Sequence, residues 1–166
     1  MKATVILLFC LLLGGCGYHL LVPTATPEPI HVTVRDSGAP RLAATLRQRL
    51  QLHGLMRADA TARRTVTVRA ESTDQRLLAI DSAGRAAEYR EEHAVQARAH
   101  WTGEQPGDWR DYSAIRDYAY DASVVLGKDQ ERQLILEEMR VELADRIIEN
   151  LVYDAVHAVQ RSAEDG

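Results

Sequence analysis

The N-terminal segment constrains this chain more than any other part of it. After Met1 and Lys2, residues 3–13 form an apolar run of 11 residues. Such a run is too short to cross a bilayer, for which about 20 apolar residues are needed, but it has the length of the hydrophobic region of a signal peptide. Two glycines and Cys16 follow. We therefore predict that residues 1–15 are a signal peptide and take no part in the folded domain.

The residues around Cys16 indicate a lipid anchor. Leu13-Gly14-Gly15-Cys16 resembles the bacterial lipobox, in which an apolar residue and two small residues precede a cysteine. In this motif the thiol receives a diacylglycerol, and the amine that cleavage frees receives an acyl chain. Such an anchor is practically permanent, because each buried CH₂ group contributes about 0.8 kcal/mol. Gly17, in place of Asp, predicts sorting to the outer membrane. An unlipidated signal peptide and an N-terminal membrane anchor are the alternatives.

Cysteine content and charge exclude several classes of protein. Cys10 and Cys16 are the only cysteines, so the domain can have neither a disulfide framework nor a cysteine-based metal site. A length of 166 residues corresponds to one ordinary domain, and a hydrophobic content of 46% is enough for a core. The net charge of -4 argues against nucleic acid as a partner, because nucleic-acid binding requires a basic face.

The spacing of apolar residues predicts a tether and six elements. Three prolines at 23, 27 and 29 exclude a helix or a central strand, so residues 16–29 are predicted to be an extended tether. Residues 30–161 then form the domain and 162–166 a frayed tail. Alternation predicts strands, and apolar residues three and four apart predict helices. The predicted elements are a strand at 30–35, a helix at 41–53, a strand at 65–71 with a continuation towards 80, strands at 88–101 and 109–121, and a helix at 130–160.

Turn residues support this order and the fold class that follows from it. Ser37 is expected to cap the first helix, with Pro40 in its first turn and Gly54 at its end. Residues 81–84 favour a hairpin turn. The order β-α-β-β-β-α predicts an α+β fold, a two-layer sandwich in which a mixed four-stranded sheet carries two helices on one face.

No pattern of catalytic or metal-binding residues is found. None of the six histidines has a metal-ligand spacing, and all are expected at the surface or rim. Glu91 and His93 interrupt the alternation of the third strand, and Glu137-Glu138 is expected on a solvated helix face. The sequence therefore predicts a binding or structural role, no enzymatic activity, no metal and no cofactor beyond the lipid on Cys16.

Aromatic residues are concentrated around the fourth strand. Trp101 and Trp109 flank the loop before it, and Ile115 lies on the face opposite to its tyrosines. The tyrosines that share a face are Tyr112, Tyr118 and Tyr120. This cluster indicates either an interface or ordinary sheet core, and which face of the strand points inward is left open.

Short motifs spread along nearly the whole mature chain carry a family resemblance. They are G-C-G-Y-H-L at 15–20, R-D-S-G at 35–38, L-Q-L-H-G at 50–54, A-E-Y at 87–89, and G-K-D-Q-E at 127–131 with E-M at 138–139. Together they resemble the lipopolysaccharide-assembly lipoproteins of the LptE family.

This resemblance implies a function that the residue patterns alone do not. A member of the family would lie in the lumen of the LptD β-barrel of the outer membrane, help that barrel to fold, plug it, and bind lipopolysaccharide during its delivery to the outer leaflet. Basic residues near loop tips would meet the lipid phosphates. Lys128 matches one such position. The other falls near Ser82, where this chain lacks the expected arginine and Arg85 is the nearest substitute.

The resemblance leaves two other readings to be tested. One is an accessory lipoprotein of another outer-membrane assembly machine, which would share the anchor and the size. The other is a lipid-anchored envelope hydrolase, which would need a nucleophile and base or a metal cluster.

Overall fold

The computed structural model describes residues 30–56, 62–120 and 125–164 of the chain. The predicted signal peptide, lipid-anchor site and tether lie outside these residues. The described elements are β1 (Ile30–Asp36), α1 (Pro40–Leu52), β2 (Ala62–Ile80), β3 (Ala86–Trp101), β4 (Arg110–Ala119) and α2 (Val125–Glu164). Neither described helix is long and apolar enough to span a membrane.

The four strands form one mixed sheet, which confirms the predicted fold class. Their spatial order follows the chain, β1-β2-β3-β4. β1 and β2 are parallel because α1 connects them, whereas short turns make the pairs β2–β3 and β3–β4 antiparallel. Helix α1 packs over β1 and β2, α2 packs over β3 and β4, and the two helices contact each other.

The hydrophobic core fills the space between the sheet and the helix layer. The rows of leucines and other apolar residues that predict both helices point into it. The buried residues of α1 include Leu42, Leu46 and Leu50, and those of α2 include Leu136, Met139, Leu143, Ile147 and Leu151. From the sheet, Val32, Val34, Val66, Val68, Val95, Ala97 and Ala114 complete the same cluster.

The turn into α1 differs from the prediction that Ser37 caps the helix. The N-cap residue is Ala39, with no side-chain cap of its own. Asp36 replaces a capping serine, because its Oδ1 accepts the backbone N–H of Gly38 at 2.9 Å and of Ala39 at 2.7 Å. Those bonds lower the pKa of Asp36. At the other end Gly54 has a φ of 68°, as expected for a glycine that ends a helix.

Helix α2 is longer than its apolar pattern predicts. It begins at Val125, not at Gln130, so Lys128 lies in the first helical turns and not in the preceding loop. It extends to Glu164, past the predicted end at Gln160, and includes residues 162–164 of the predicted tail. A single glycine in a helix costs only about 1 kcal/mol, so Gly127 does not prevent the earlier start.

Candidate functional site

The two residues that interrupt the alternation of β3 lie at the centre of a buried polar cluster. Glu91 and His93 are both 0% exposed and face the helices beside Val95. The expectation that all histidines lie at the surface or rim is therefore wrong for His93. A buried polar group is costly unless it has partners, and helix α2 supplies most of those partners here.

A β-bulge in β2 brings a third polar residue, Glu71, to this cluster. Ala70 and Glu71 together lie opposite Val95, since Arg69 pairs with Gln96 and Ser72 with Ala94. Ala70 has a φ of 54°, in the left-handed region. An extra residue reverses the alternation of the strand. Val66 and Val68 face the core before the bulge, and Glu71 faces the helices after it.

The Glu71 carboxylate joins the sheet to both helices. Its Oε2 accepts the backbone N–H of Leu42 at 3.2 Å, in the first turn of α1, where N–H groups have no helical acceptor. Its Oε1 is 3.1 Å from Nε2 of His93 and accepts Nε of Arg140, from α2, at 3.2 Å. Arg140 is itself buried and also pairs with Glu137.

A second ion pair lies further along the same interface. Arg132 of α2 donates to both oxygens of Glu91, at 3.0 and 2.7 Å. This two-point pairing is among the strongest hydrogen-bond geometries in proteins. It balances the one carboxylate of the sheet that is wholly buried.

Burial keeps His93 uncharged in spite of its carboxylate neighbour. Desolvation lowers the pKa of His93 and outweighs the opposing effect of Glu71. Its Nδ1 atom is buried and has no hydrogen-bond partner among the described residues. The cluster is enclosed by the core and contains no nucleophile, so its geometry suits fixing the helices on the sheet.

The aromatic residues of β4 divide between two roles. The structure answers which face points inward: Ala114 and Tyr118 are buried, whereas Ile115 is 49% exposed. Tyr118 accepts a hydrogen bond from Gln75 at 2.6 Å, and its ring lies 6.1 Å from that of Tyr89. Burial raises the pKa of Tyr118. Tyr118 is therefore a buried residue at the end of the sheet near the β2–β3 turn, where the half-buried Tyr89 lies beside it.

Trp109 has a different environment, on the face of the sheet opposite the helices. The guanidinium carbons of Arg69 and Arg98 lie over its indole ring, 3.8 and 4.3 Å from the ring centroid. Cations attract aromatic faces in this way, and the contact is stronger when it is shielded from water. Sequence patterns show the three residues but not their proximity, because the stack depends on how β2, β3 and the loop before β4 meet.

The predicted lipid contacts lie near one end of the sheet. Arg85 follows the β2–β3 turn, is exposed, and pairs with Asp81 through Nε at 2.9 Å. Backbone and side-chain hydrogen bonds from Arg85 lower the pKa of Asp81. At this end Tyr120 donates its N–H to Ala87 at 2.8 Å, and the chain then leads to α2 and Lys128. The Lys128 side chain and Cys16 lie outside the described structure. Within the described residues, no group of three or more histidines, cysteines or acids could hold a metal ion.

Comparison with known proteins finds one family. The family profile described as "LptE: Lipopolysaccharide-assembly" matches residues 28–151. The LPS-assembly lipoprotein LptE of Pectobacterium atrosepticum is 27% identical over 157 residues, which cover 87% of this chain and 85% of that protein. The protein of the same name from Yersinia pestis (strain Pestoides F) is 27% identical over 155 residues, which cover 90% of this chain and 73% of that protein.

Solved structures share the fold. The rare lipoprotein B from Shewanella oneidensis has a TM-score of 0.65 and 23% identity, covering 77% of this chain and 98% of that one. A minor lipoprotein from Acinetobacter baumannii has a TM-score of 0.60 and 16% identity, covering 76% of this chain and 92% of that one. At such identities the likeness establishes the fold alone.

Proposed function

This chain belongs to the LptE family of lipopolysaccharide-assembly lipoproteins, and from that premise we propose that it assembles with and plugs an LptD-type β-barrel in the outer membrane. In this role it assists the folding of the barrel and the delivery of lipopolysaccharide to the cell surface. It works by binding, without an enzymatic step. The observation that carries the proposal is the match to the family over 28–151, which spans nearly all of the described domain.

The surface of the domain supports a place inside a barrel. Both helices lie on one face of the sheet, so the opposite face has no covering layer among the described residues. That face presents charged and polar side chains along its strands, including Arg69, Arg76, Arg90, Gln96 and Asp117. The lumens of large outer-membrane barrels are polar, so a plug needs a polar exterior.

The ion pairs between the layers support a rigid plug. Arg49 of α1 makes two hydrogen bonds to Asp145 of α2, at 2.7 and 2.8 Å. Arg146 of α2 donates to the carbonyl of Ser113 in β4 at 2.6 Å. Because such bonds join the two helices to each other and to the edge of the sheet, the domain keeps its shape as one unit.

We further propose how the N-terminal residues hold the domain at the membrane and which residues contact lipopolysaccharide. A diacylglycerol and an acyl chain on Cys16 would anchor the chain in the periplasm-facing leaflet. Residues 16–29 would then let the domain enter the lumen. Arg85 and Lys128 are the proposed contacts for lipopolysaccharide. The pairing of Arg85 with Asp81 leaves its side chain 63% exposed, so a phosphate can still approach it.

A purification from outer membranes tests the partnership. The full chain, tagged at its C-terminus and expressed in a Gram-negative host, is extracted in mild detergent and its partners are identified. We expect a large β-barrel in about equal amount. A Cys16→Ala variant is the control, and should be lost from the outer-membrane fraction. Recovery of another assembly machine instead of the barrel would refute the plug and support the accessory-lipoprotein alternative.

A separate comparison tests the lipid contacts. The double variant Arg85→Gln/Lys128→Gln should co-purify less lipopolysaccharide per barrel complex than the wild type. Arg90→Gln is the matched control, since Arg90 lies on the same hairpin and already pairs with Asp117 at 2.7 Å. Equal lipopolysaccharide in all three samples would remove Arg85 and Lys128 from the proposal without affecting the partnership.

A further inference from the structure

The arginines on the open face of the sheet fall into two groups with different partners. In the half that leads to the β2–β3 turn, Arg76 pairs with Asp74 and Arg90 with Asp117, each at 2.7 Å. These arginines are therefore neutralised within the protein. In the other half, Arg69 and Arg98 make no ion pair with a described residue.

Most of the hydrogen-bond donors of Arg69 and Arg98 have no partner among the described residues. Arg69 donates from Nε to Gln96 at 3.0 Å, and neither guanidinium makes another hydrogen bond to a described residue. Nε of Arg98 is buried and has no partner at all among those residues. In the row of the sheet that contains Arg69, Asp111 accepts a hydrogen bond from Gln96 at 2.8 Å. Asp111 makes no ion pair with Arg69 or Arg98.

Stacking on Trp109 arranges these donors for an anion. A guanidinium that lies over an indole is shielded on one side by the ring. The terminal N–H groups of Arg69 and Arg98 make no hydrogen bond to a described residue. Arg35 extends the positive charge across the sheet. It pairs with Thr67 on β2, and Thr67 pairs with Arg98 on β3, so Arg35 and Arg98 share one face two strands apart.

We propose that Arg69, Arg98 and Trp109 form an oxyanion site that binds a phosphate monoester of the kind that lipid headgroups carry. Two guanidinium charges match the charge of about -2 on a phosphate monoester at neutral pH, whereas a carboxylate of a partner protein carries only one charge. The site is distinct from Arg85 at the β2–β3 turn. It lies in the half of the sheet where the chain enters β1 at Ile30, which is the half that follows the proposed anchor at Cys16 in the chain.

The proposal does not depend on the barrel, so it can be tested on the full purified chain in a nonionic detergent. Trp109 is the reporter, in a Trp101→Phe background that leaves it as the only tryptophan. The probes are inorganic phosphate and dihexanoyl phosphatidic acid, with dihexanoyl phosphatidylcholine as the lipid that lacks a monoester. We expect a saturable fluorescence change with phosphatidic acid and none with phosphatidylcholine.

Three variants on the same face assign the response to the site. Arg69→Gln/Arg98→Gln should weaken binding about tenfold or more, as expected when charge-assisted hydrogen bonds are lost. The matched control Arg76→Gln/Arg90→Gln removes the same charge from arginines that are already paired, and should bind as the wild type does. Circular dichroism of each variant shows whether it is folded. Arg98→Lys, which keeps the charge and loses the planar guanidinium, should give an intermediate affinity.

The outcomes separate the sources of the phosphate and can overturn the proposal. A response to both probes indicates a site for the phosphate group itself, and a response to phosphatidic acid alone indicates that the lipid is required. Both support the site. A wild type that responds to neither probe overturns the proposal, as does a folded double variant that binds as tightly. Loss of a co-purifying protein from the double variant, without a phosphate response in the wild type, would make this face a protein contact instead.

Discussion

At the scale of single residues, Glu71 connects the sheet to both helices through one side chain. Its two oxygens contact the first turn of α1, the imidazole of His93 in β3, and Arg140 of α2. A buried ion pair of this kind is weak evidence of net stability, because desolvating both charges is costly. Removing one partner is nevertheless strongly destabilising, because it leaves the other charge buried and uncompensated.

Glu71→Gln should therefore destabilise the domain strongly. The variant leaves Arg140 with Glu137 as its remaining carboxylate and weakens the bond to the N–H of Leu42. We expect the free energy of unfolding to fall by about 3 kcal/mol, as measured by chemical denaturation. Asp74→Asn is the control, because it breaks the exposed pair with Arg76 and should cost less than about 1 kcal/mol. Equal losses in the two variants would contradict a special role for Glu71.

His93 should make the stability of the domain depend on pH. Burial holds its pKa in the folded state below the ordinary value of 6.5, so below that pH the unfolded chain binds more protons than the folded one. Stability that is complete above about pH 6.5 should therefore fall as the pH decreases towards 5. Of the charged groups around His93, the carboxylates of Glu71 and Glu91 oppose the lowering of its pKa and Arg140 adds to it.

The measurement is the free energy of unfolding of the wild type and of His93→Gln between pH 5 and pH 7.5. The variant should show a smaller decrease over this window. His53→Gln, which alters an exposed histidine, should follow the wild type. The carboxylates whose pKa values are lowered, Asp36, Asp81 and Asp117, titrate at more acidic pH and do not contribute here. An unchanged slope in His93→Gln would assign the dependence to other groups.

At the scale of elements, the bulge at Ala70 decides which side chains of β2 reach the core. The alternation of β2 before the bulge predicts the strand, and the pattern of β3 shows that Glu91 and His93 are anomalous. Sequence patterns do not show that a bulge lies opposite Val95. A bulge inserts one residue and has no fixed sequence signature. Glycine is the residue that most readily adopts positive φ, but this chain has an alanine at that position. The buried cluster could not be predicted for this reason.

Ala70→Gly should stabilise the domain slightly. An L-residue in the left-handed region costs about 1–2 kcal/mol, and the extra freedom of glycine in the unfolded chain costs about 0.5–1 kcal/mol. The net gain expected in the free energy of unfolding is a few tenths of a kcal/mol to about 1 kcal/mol. Ala94→Gly in the regular part of β3 should instead reduce stability. A loss at both positions would show that the backbone at Ala70 is not strained.

Element boundaries depend on contacts that the apolar pattern does not contain. The first helix is correctly predicted because its leucines recur every four residues and Pro40 and Gly54 mark its ends. The sequence predicts Ser37 as its cap, but the carboxylate of Asp36 accepts the N–H groups at the start of the helix. The predicted start of α2 is too late because Gly127 resembles a loop residue. Lys128 consequently lies on a helix, a more fixed position than a loop tip.

At the scale of the whole molecule, the two ends of the sheet have different roles in the proposed function. The chain enters at Ile30, opposite Ala62 at the start of β2, and the β2–β3 turn with Arg85 lies at the other end of that strand. A strand of 19 residues is roughly 60 Å long at about 3.3 Å per residue. The end where the chain enters β1 and the end with the proposed lipopolysaccharide contacts are therefore separated by more than the hydrocarbon thickness of a bilayer, about 30 Å.

The length of the tether should then control whether the anchored domain can reach its partner. Residues 16–29 span at most about 50 Å when fully extended. Deleting residues 22–27 roughly halves that reach, so the lipid would remain in the membrane while the domain could no longer occupy the lumen fully. We expect the deletion variant to stay in the outer-membrane fraction but to co-purify much less barrel than the wild type. A variant in which the same six residues are replaced by glycine and serine restores the length without two of the three prolines, and should recover the barrel. Equal recovery of the barrel with the deletion variant would mean that the domain does not enter the lumen from its own anchor. Loss of the barrel from the glycine-serine variant would mean that the barrel requires the sequence of the tether and not its length.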